Sequence, residues 1–239
     1  MSLRRTLALL GLCVASGWAP GALAADPVTD AIQKAYAPYR AALFKTNAGQ
    51  AGESAEAMKQ AQQAWAQVMQ VVKSQPTVPY ANDALMARTL TGVDEHYARA
   101  AQQIASGQLP QAHETLEGVR DLLSELRRQN QVIVYSDHMN AYHAQMEHLL
   151  GEGPKWLQAS DGMPRLAAQA GVLSYLAERL SSEAPAAVQS SPEFKELLGA
   201  LTRSVAALNA AVASGDKVQI EKAIAQVKVP YSKLFIKFG

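Results

Sequence analysis

Residues 109–150 read LPQAHETLEGVRDLLSELRRQNQVIVYSDHMNAYHAQMEHLL. In the first half, apolar residues recur every three or four positions, at Leu116, Val119, Leu122, Leu123 and Leu126. This spacing is typical of an amphipathic α-helix whose apolar face packs against a partner helix. The second half has the same spacing from Tyr135 to Leu150 and includes two methionines and two tyrosines. The stretch therefore predicts paired helices.

The rest of the sequence has the same character. Alanine and glutamine are abundant, β-branched residues are sparse, and only four phenylalanines occur. Such a composition favours helices. We predict an all-α antiparallel helical bundle of about seven helices built from helical hairpins. The predicted helices run approximately over residues 27–47, 53–73, 82–106, 110–150, 164–182, 192–213 and 217–230, and whether the last one continues past Pro230 is left open.

Turn residues indicate where these helices begin. The Asp-Pro pair at 26–27 and the Ser-Pro pair at 191–192 are typical helix starts with proline in the first turn. The β-branched run at 132–134 weakens helix propensity. It leaves two alternatives for residues 130–136, a bent helix or a short loop.

A Gly-Glu-Gly-Pro run at 151–154 predicts a firm helix stop. We use it to divide the exported chain into a four-helix bundle over residues 25–150 and a three-helix part over residues 151–239 that packs on it. A linker containing Trp156 is expected to follow the stop.

The chain contains a weak internal repeat. Placing Gly107 on Gly215 aligns Ile-Ala-Ser-Gly at 104–107 with Val-Ala-Ser-Gly at 212–215. The first hairpin, with its Asn-Ala-Gly turn at 47–49, follows the same plan more loosely. Repetition of a hairpin unit explains the match, and so does the low complexity of alanine-rich helices.

Residues 1–24 have the features of a secretory signal peptide. Two arginines precede an apolar stretch over 6–15 that is too short to span a bilayer, and Ala-Leu-Ala at 22–24 is a typical cleavage site. A membrane anchor is the alternative, but the Pro-Gly pair at 20–21 interrupts the apolar segment. We expect cleavage after residue 24 and a periplasmic location.

Cleavage would remove Cys13, the single cysteine, and with it any disulfide or thiolate metal site. It would also remove Arg4 and Arg5, which leaves 20 basic residues against 21 acidic ones. No cluster of lysine and arginine stands out in the remaining sequence. We therefore expect no nucleic-acid partner and no membrane insertion after signal cleavage.

Residues 132–150 contain the densest set of possible metal ligands, with three of the five histidines, two methionines and two carboxylates. On a helix, Met139 and Met146 belong to the apolar stripe, His143 lies beside them, and His138 lies on the other flank. For the methionines themselves, core packing is the simpler explanation. As a binding site, Met139, His143 and Met146 are the candidate cofactor ligands.

Two His-x-x-x-Glu pairs extend this site. His143 with Glu147, and His113 with Glu117 on the preceding segment, each place an imidazole and a carboxylate on one helix face. If the two pairs converge they make a four-ligand metal site, to which His138 is a further candidate. The alternative is that both are ordinary polar pairs on solvated helix faces.

Other reaction classes lack their motifs. No glutamate is followed three residues later by histidine, as di-iron bundles require. The sequence also lacks Gly-x-Ser-x-Gly and a glycine-rich phosphate loop. We therefore expect a non-enzymatic role.

A resemblance appears in the C-terminal half. Ser-Pro-Glu-Phe-Lys-Glu-Leu-Leu at 191–198, the Ala-rich helix after it, the Ser-Gly-Asp turn and Tyr231 resemble the periplasmic four-helix-bundle cytochromes, the soluble b-type and c-prime-type forms. Asn-Ala-Tyr-His at 140–143 is similar to the ligand-bearing end of the last b-type helix. The resemblance implies an up-down bundle and a haem held by His143 and a methionine. The haem-attachment motif Cys-x-x-Cys-His is absent, and residues 26–47 contain no methionine where the b-type form has its ligand.

Two functional hypotheses follow. In the first, the protein is an exported binding protein that holds a transition metal (copper, iron or zinc) or haem near Met139, His143, Met146 and Glu147. In the second, it is a non-catalytic helical-hairpin scaffold whose apolar groove binds another envelope protein.

Overall fold

The computed structural model describes residues 26–74, 79–80 and 83–239, and these residues contain helices and no β-strand. The predicted all-α bundle is confirmed. The signal peptide predicted for residues 1–24 lies outside the described residues. The helices are α1 (Pro27–Asn47), α2 (Ala51–Ser74), α3 (Ala84–Ala105), α4 (Leu109–Gln129), α5 (Tyr135–Trp156), α6 (Gly162–Ser182), the single turn α7 (Ala186–Gln189), α8 (Pro192–Ser214), α9 (Lys217–Gln226) and α10 (Lys228–Phe238).

Side-chain caps fix the predicted helix starts. The Asp26 carboxylate accepts hydrogen bonds from the backbone N–H groups of Val28 and Thr29, at 3.0 and 3.2 Å. The Ser191 hydroxyl accepts one from the backbone N–H of Phe194 at 3.3 Å. These bonds satisfy N–H groups that have no partner inside the helix. Both Asp-Pro and Ser-Pro therefore begin helices as the sequence predicts.

Helices α1 to α4 form a closed ring in which each helix packs against its two neighbours. The Trp65 ring of α2 meets the Tyr97 ring of α3 edge to face, with 6.3 Å between centroids. The ring closes between α1 and α4, where the buried Tyr39 hydroxyl donates to the carbonyl of Leu116 at 3.0 Å. Helices α1 and α4 therefore lie side by side, and α1 also packs against α10.

Helix α5 packs mainly on the C-terminal helices α6, α9 and α10, and α8 packs on α6, α9 and α10. The predicted stripe of α5 forms its core side, since Met139, Tyr142, Met146 and Leu149 are fully buried. Residue 150, where the turn residues suggested a division, lies inside α5. By its contacts, α5 belongs with the C-terminal helices.

The stop predicted at residues 151–154 is wrong. Helix α5 continues through these residues to Trp156, so Trp156 is its last residue and not part of a linker. Gly153 is buried because the Ile224 side chain of α9 packs closely against it. Pro154 lies inside α5 and lacks the N–H that would donate to the carbonyl of residue 150, so the helix continues despite the loss of one hydrogen bond. Tertiary packing therefore overrides the local stop signal.

The alternative left open for residues 130–136 is decided in favour of a short loop, because α4 ends at Gln129 and α5 begins at Tyr135. Gln131 has a positive φ of 56°, which lets the chain reverse without a glycine. The buried Arg127 guanidinium forms an ion pair with Asp137 across the loop, and the same carboxylate accepts a hydrogen bond from the backbone N–H of Val134. This ion pair joins α4 to α5.

Glycine turns close the hairpins that carry the predicted repeat. Gly107 and Gly215 have φ values of 73° and 71°, a left-handed conformation that glycine adopts without steric cost. The aligned turns thus share one backbone conformation, which both explanations of the repeat permit.

The C-terminal segment departs from the predicted helix over 217–230. Helix α9 ends at Gln226, and α10 runs from Lys228 to Phe238 with Pro230 in its first turn. Proline is tolerated there because the first N–H groups of a helix have no partner inside it. Helix α10 packs on the body of the protein, with Tyr231, Leu234 and Phe235 buried.

Helix α8 is the one helix in the described part of the chain that is long and apolar enough to span a membrane by length and composition. Alanine supplies much of that apolar character, and α8 packs against α6, α9 and α10 in the structure.

Candidate functional site

A cleft of about 390 Å³ lies where the first four helices meet the C-terminal group. Four helices line it, α1, α4, α5 and α10. Its volume falls within the range of small-ligand sites. The lining residues are Leu43, Phe44 and Asn47 of α1, His113, Glu117 and Arg120 of α4, His143, Met146 and Glu147 of α5, and Lys228, Tyr231, Ser232 and Phe235 of α10.

Helix α4 presents His113 and Glu117 one turn apart. The Nδ1 atom of His113 lies 3.0 Å from the backbone carbonyl of Leu43 on α1. Because a carbonyl only accepts, Nδ1 carries the proton in this contact, and Nε2 of the neutral ring keeps its lone pair. Proteins orient the imidazole ligands of metal ions by a hydrogen bond of this kind, made by the ring nitrogen that does not bind the metal.

Helix α5 presents His143 from the opposite side. Its ring is stacked on Tyr231 of α10, with 5.4 Å between centroids and 29° between planes. The Tyr231 ring is held in turn by its hydroxyl, which donates to the carbonyl of Met139 at 3.2 Å. Nδ1 of His143 is buried and has no hydrogen-bond partner within the described residues. Packing therefore fixes the position of the ring, and its Nδ1 atom has an unused hydrogen-bonding site.

The two imidazoles meet at one carboxylate oxygen. Oε1 of Glu117 lies 3.8 Å from Nε2 of His113 and 3.7 Å from Nε2 of His143. It also lies 3.4 Å from Nη1 of Arg120. The contact with His143 is the largest cause that lowers the pKa of Glu117 from 4.5 to about 2, and Arg120 and His113 add to it against the opposing effect of burial. Glu117 is consequently an anion throughout the physiological range.

This pKa shift predicts an acid-sensitive contribution to stability. Because the folded-state pKa of Glu117 is depressed, its stabilisation is complete above pH 4.5 and is lost as the pH falls toward about 2. Glu117 is about one-third exposed, so solvent screening limits the effect to about 1 kcal/mol. Glu117→Gln should be less stable than wild type at pH 6, with the difference shrinking below pH 4.5 and vanishing only below about pH 2. Urea unfolding of both chains across this range measures it, and a difference independent of pH would contradict the assignment.

The structure brings most of the predicted ligands together. His113, Glu117, His143, Met146 and Glu147 all line the same cleft. Glu147 is paired there with Lys228 of α10, at 3.0 Å between Oε1 and Nζ.

Two predicted residues lie elsewhere. His138 faces Glu183 just beyond α6, with 4.0 Å between Nε2 and Oε2, and does not line the cleft. Met139 is fully buried in the core and is not among the lining residues. Its contribution to the cleft is the backbone carbonyl that anchors Tyr231.

The lining residues that the sequence-based prediction missed include Arg120, Lys228 and Tyr231. Arg120 was detectable, because it lies seven residues from His113 and three from Glu117 on the same helix face. Lys228 and Tyr231 were not, because α10 reaches the site only through tertiary packing.

A smaller cleft of about 290 Å³ adjoins the first along α4 and α5. The two share Glu117, Arg120, His143 and Glu147. The smaller one adds polar groups, namely Asp121, Ser124 and Asn140. The shared side chains thus form a polar boundary between two connected spaces.

Among the described residues, no three His, Cys, Asp or Glu side chains stand ready to hold a metal ion. The imidazoles contact Glu117 itself, so a bound ion would have to displace these contacts by side-chain rotation in the cleft.

Comparisons with protein-family models, curated proteins and solved structures found no match for this chain. The resemblance to the four-helix-bundle cytochromes therefore stays a prediction, and the residues of the cleft carry the functional argument.

Proposed function

We propose that this chain is an exported periplasmic helical-bundle binding protein that holds one transition-metal ion through His113, Glu117 and His143. The supporting observation is the approach of two imidazole Nε2 atoms, from different helices, to the same carboxylate oxygen at 3.8 and 3.7 Å. Separate helices that bring such donors together fix the spacing of a site more firmly than one helix alone.

The donor set fits an ion. Two imidazoles and a carboxylate suit zinc or iron, and Met146, a buried residue that also lines the cleft, carries the thioether that copper prefers. His113 already has the backbone contact that directs its Nε2 toward the cleft. These side chains would bind and orient the ion, whose chemistry would be that of a Lewis acid or a one-electron carrier according to the metal.

The same donors do not fit a haem held by His143 and a methionine. Met139 does not line the cleft, and Met146 lies three residues from His143 on the same helix. The two axial ligands of a haem iron approach from opposite faces of the ring. Neighbouring side chains on one helix face cannot do so.

Metal content and titration test the proposal. The full chain should be expressed, recovered from the periplasmic fraction without chelator, and weighed by mass spectrometry to learn whether residues 1–24 are removed. We expect one equivalent of Co²⁺ to bind and to produce ligand-field bands in the visible spectrum, and Zn²⁺ to displace it. A chain that binds none of Co²⁺, Zn²⁺, Cu²⁺ or Fe²⁺ would overturn the proposal and favour the scaffold hypothesis.

A further inference from the structure

The cleft contains two cations that a simple metal site does not need. Arg120 is paired with Glu117 at 3.4 Å, and Lys228 is paired with Glu147 at 3.0 Å. Arg120 also lies 3.5 Å from Asp121, whose side chain is mostly exposed. Each candidate carboxylate ligand therefore already has a cationic partner within the cleft.

Metal binding would leave the cleft with excess positive charge. The charges of Arg120 and Lys228 balance those of Glu117 and Glu147, and Asp121 beside Arg120 adds one negative charge. A divalent ion raises the sum to about one positive charge in a site partly walled by apolar groups such as Leu43, Phe44 and Phe235. Unbalanced charge beside apolar walls is costly, because the surroundings solvate it poorly.

The space beside the ion is large enough for a counter-ligand. The main cleft measures about 390 Å³, and Arg120 also borders the adjoining cleft of about 290 Å³. The Arg120 side chain is only 16% exposed, which restricts its guanidinium to these spaces. A guanidinium binds planar oxyanions through two parallel hydrogen bonds, and a lysine ammonium adds a point charge.

We propose, resting on the proposed function, that the cleft binds the metal ion together with a small oxyanion held by Arg120 and Lys228. A dicarboxylate, bicarbonate or phosphate has this chemistry. The anion takes the place of Glu117 beside Arg120 when that carboxylate binds the ion, and Lys228, which keeps its pairing with Glu147, adds a second positive charge in the same cleft. Metal and anion consequently strengthen one another's binding, as linkage requires.

Co²⁺ titration with and without anions tests this inference. Free dicarboxylate or phosphate competes for metal in solution, so without a shared site it lowers the apparent affinity of the protein. We expect an increase instead, of about tenfold with the best of malonate, bicarbonate and phosphate at matched ionic strength. Separate titrations with the three anions show whether the cleft prefers a dicarboxylate, bicarbonate or phosphate.

Variants locate the effect. Arg120→Gln and Lys228→Gln should each lose the anion enhancement, while Co²⁺ alone binds at least as tightly because a competing cation is gone. Arg165→Gln is the matched control, since Arg165 pairs with Asp161 on the exposed surface of α6, and it should keep the enhancement. Circular dichroism verifies that each variant is folded.

The outcomes separate the two proposals. Co²⁺ binding without any anion enhancement overturns the anion proposal and leaves the metal site intact. An enhancement that persists in both Arg120→Gln and Lys228→Gln also overturns it. Absence of Co²⁺ binding in the wild type overturns the metal site and the anion proposal together.

Discussion

His143→Ala and His113→Ala are each expected to lower the affinity for Co²⁺ or Zn²⁺ by about 100-fold or more. Each substitution removes one nitrogen donor, and loss of even an outer-shell partner of a metal ligand costs about 10- to 100-fold. The two histidines lie on different helices but approach the same oxygen of Glu117, so both losses should act on one site. Isothermal titration of the purified variants measures the effect.

A histidine on the same helix supplies the control. His148 lies five residues from His143 on α5, and its ring meets Trp156 edge to face at 5.3 Å, away from the cleft lining. His148→Ala should therefore retain wild-type affinity. Equal losses of metal affinity in His148→Ala and His143→Ala would show that the substitutions disturb helix α5 and do not remove a metal ligand.

Asp137→Ala is expected to destabilise the fold by about 3 kcal/mol. Arg127 is only 2% exposed, and its Nη2 lies 2.5 Å from Oδ1 of Asp137. Removal of the carboxylate leaves a buried guanidinium without its charge partner and also frees the backbone N–H of Val134. Urea unfolding monitored by circular dichroism gives the free-energy change.

The Arg165 and Asp161 pair is a matched comparison, because its Nη2 to Oδ2 distance is also 2.5 Å but both side chains are more than half exposed. Asp161→Ala should cost less than about 1 kcal/mol, because exposed ion pairs are screened by solvent. Similar costs for the two substitutions would be evidence against a special role for the buried pair. The double variant Arg127→Met with Asp137→Leu should recover much of the loss, since neither charge then remains buried.

Much of the fold could be predicted from local signals. The caps at Asp26 and Ser191 and the turns at Gly107 and Gly215 act through neighbouring backbone groups, so the sequence reveals them directly. The errors occurred where distant residues intervene. Packing of Ile224 against Gly153 carries α5 past the predicted stop.

Proline position explains the error near the C-terminus. The helix that begins near residue 217 was expected to reach Pro230, but it ends at Gln226, and Pro230 lies in the first turn of α10, where its missing N–H costs no hydrogen bond. The sequence shows the proline but does not show whether the helix is interrupted before or after it.

The spacing within each His-Glu pair of the candidate site could be predicted from the sequence, but the approach of the two pairs could not. Helical spacing predicts that His113 and Glu117 share a face, as do His143 and Glu147. Whether the two pairs converge depends on how α4 and α5 approach each other. That approach is set by the loop at 130–134 and by the ion pair between Arg127 and Asp137. The cations Arg120 and Lys228 change the chemistry expected there, and Lys228 comes from a helix that sequence spacing does not connect to the others.

The most direct test of the metal site is a long-range ¹H–¹⁵N correlation spectrum of the histidine rings, recorded before and after one equivalent of Zn²⁺. The chain has five histidines, so each ring is separately assignable. We predict large shifts of Nε2 in His113 and His143, with Nδ1 of His113 protonated throughout, and little change in His96, His138 and His148. Absence of any shift, or shifts confined to His96, His138 or His148, would contradict the proposed site.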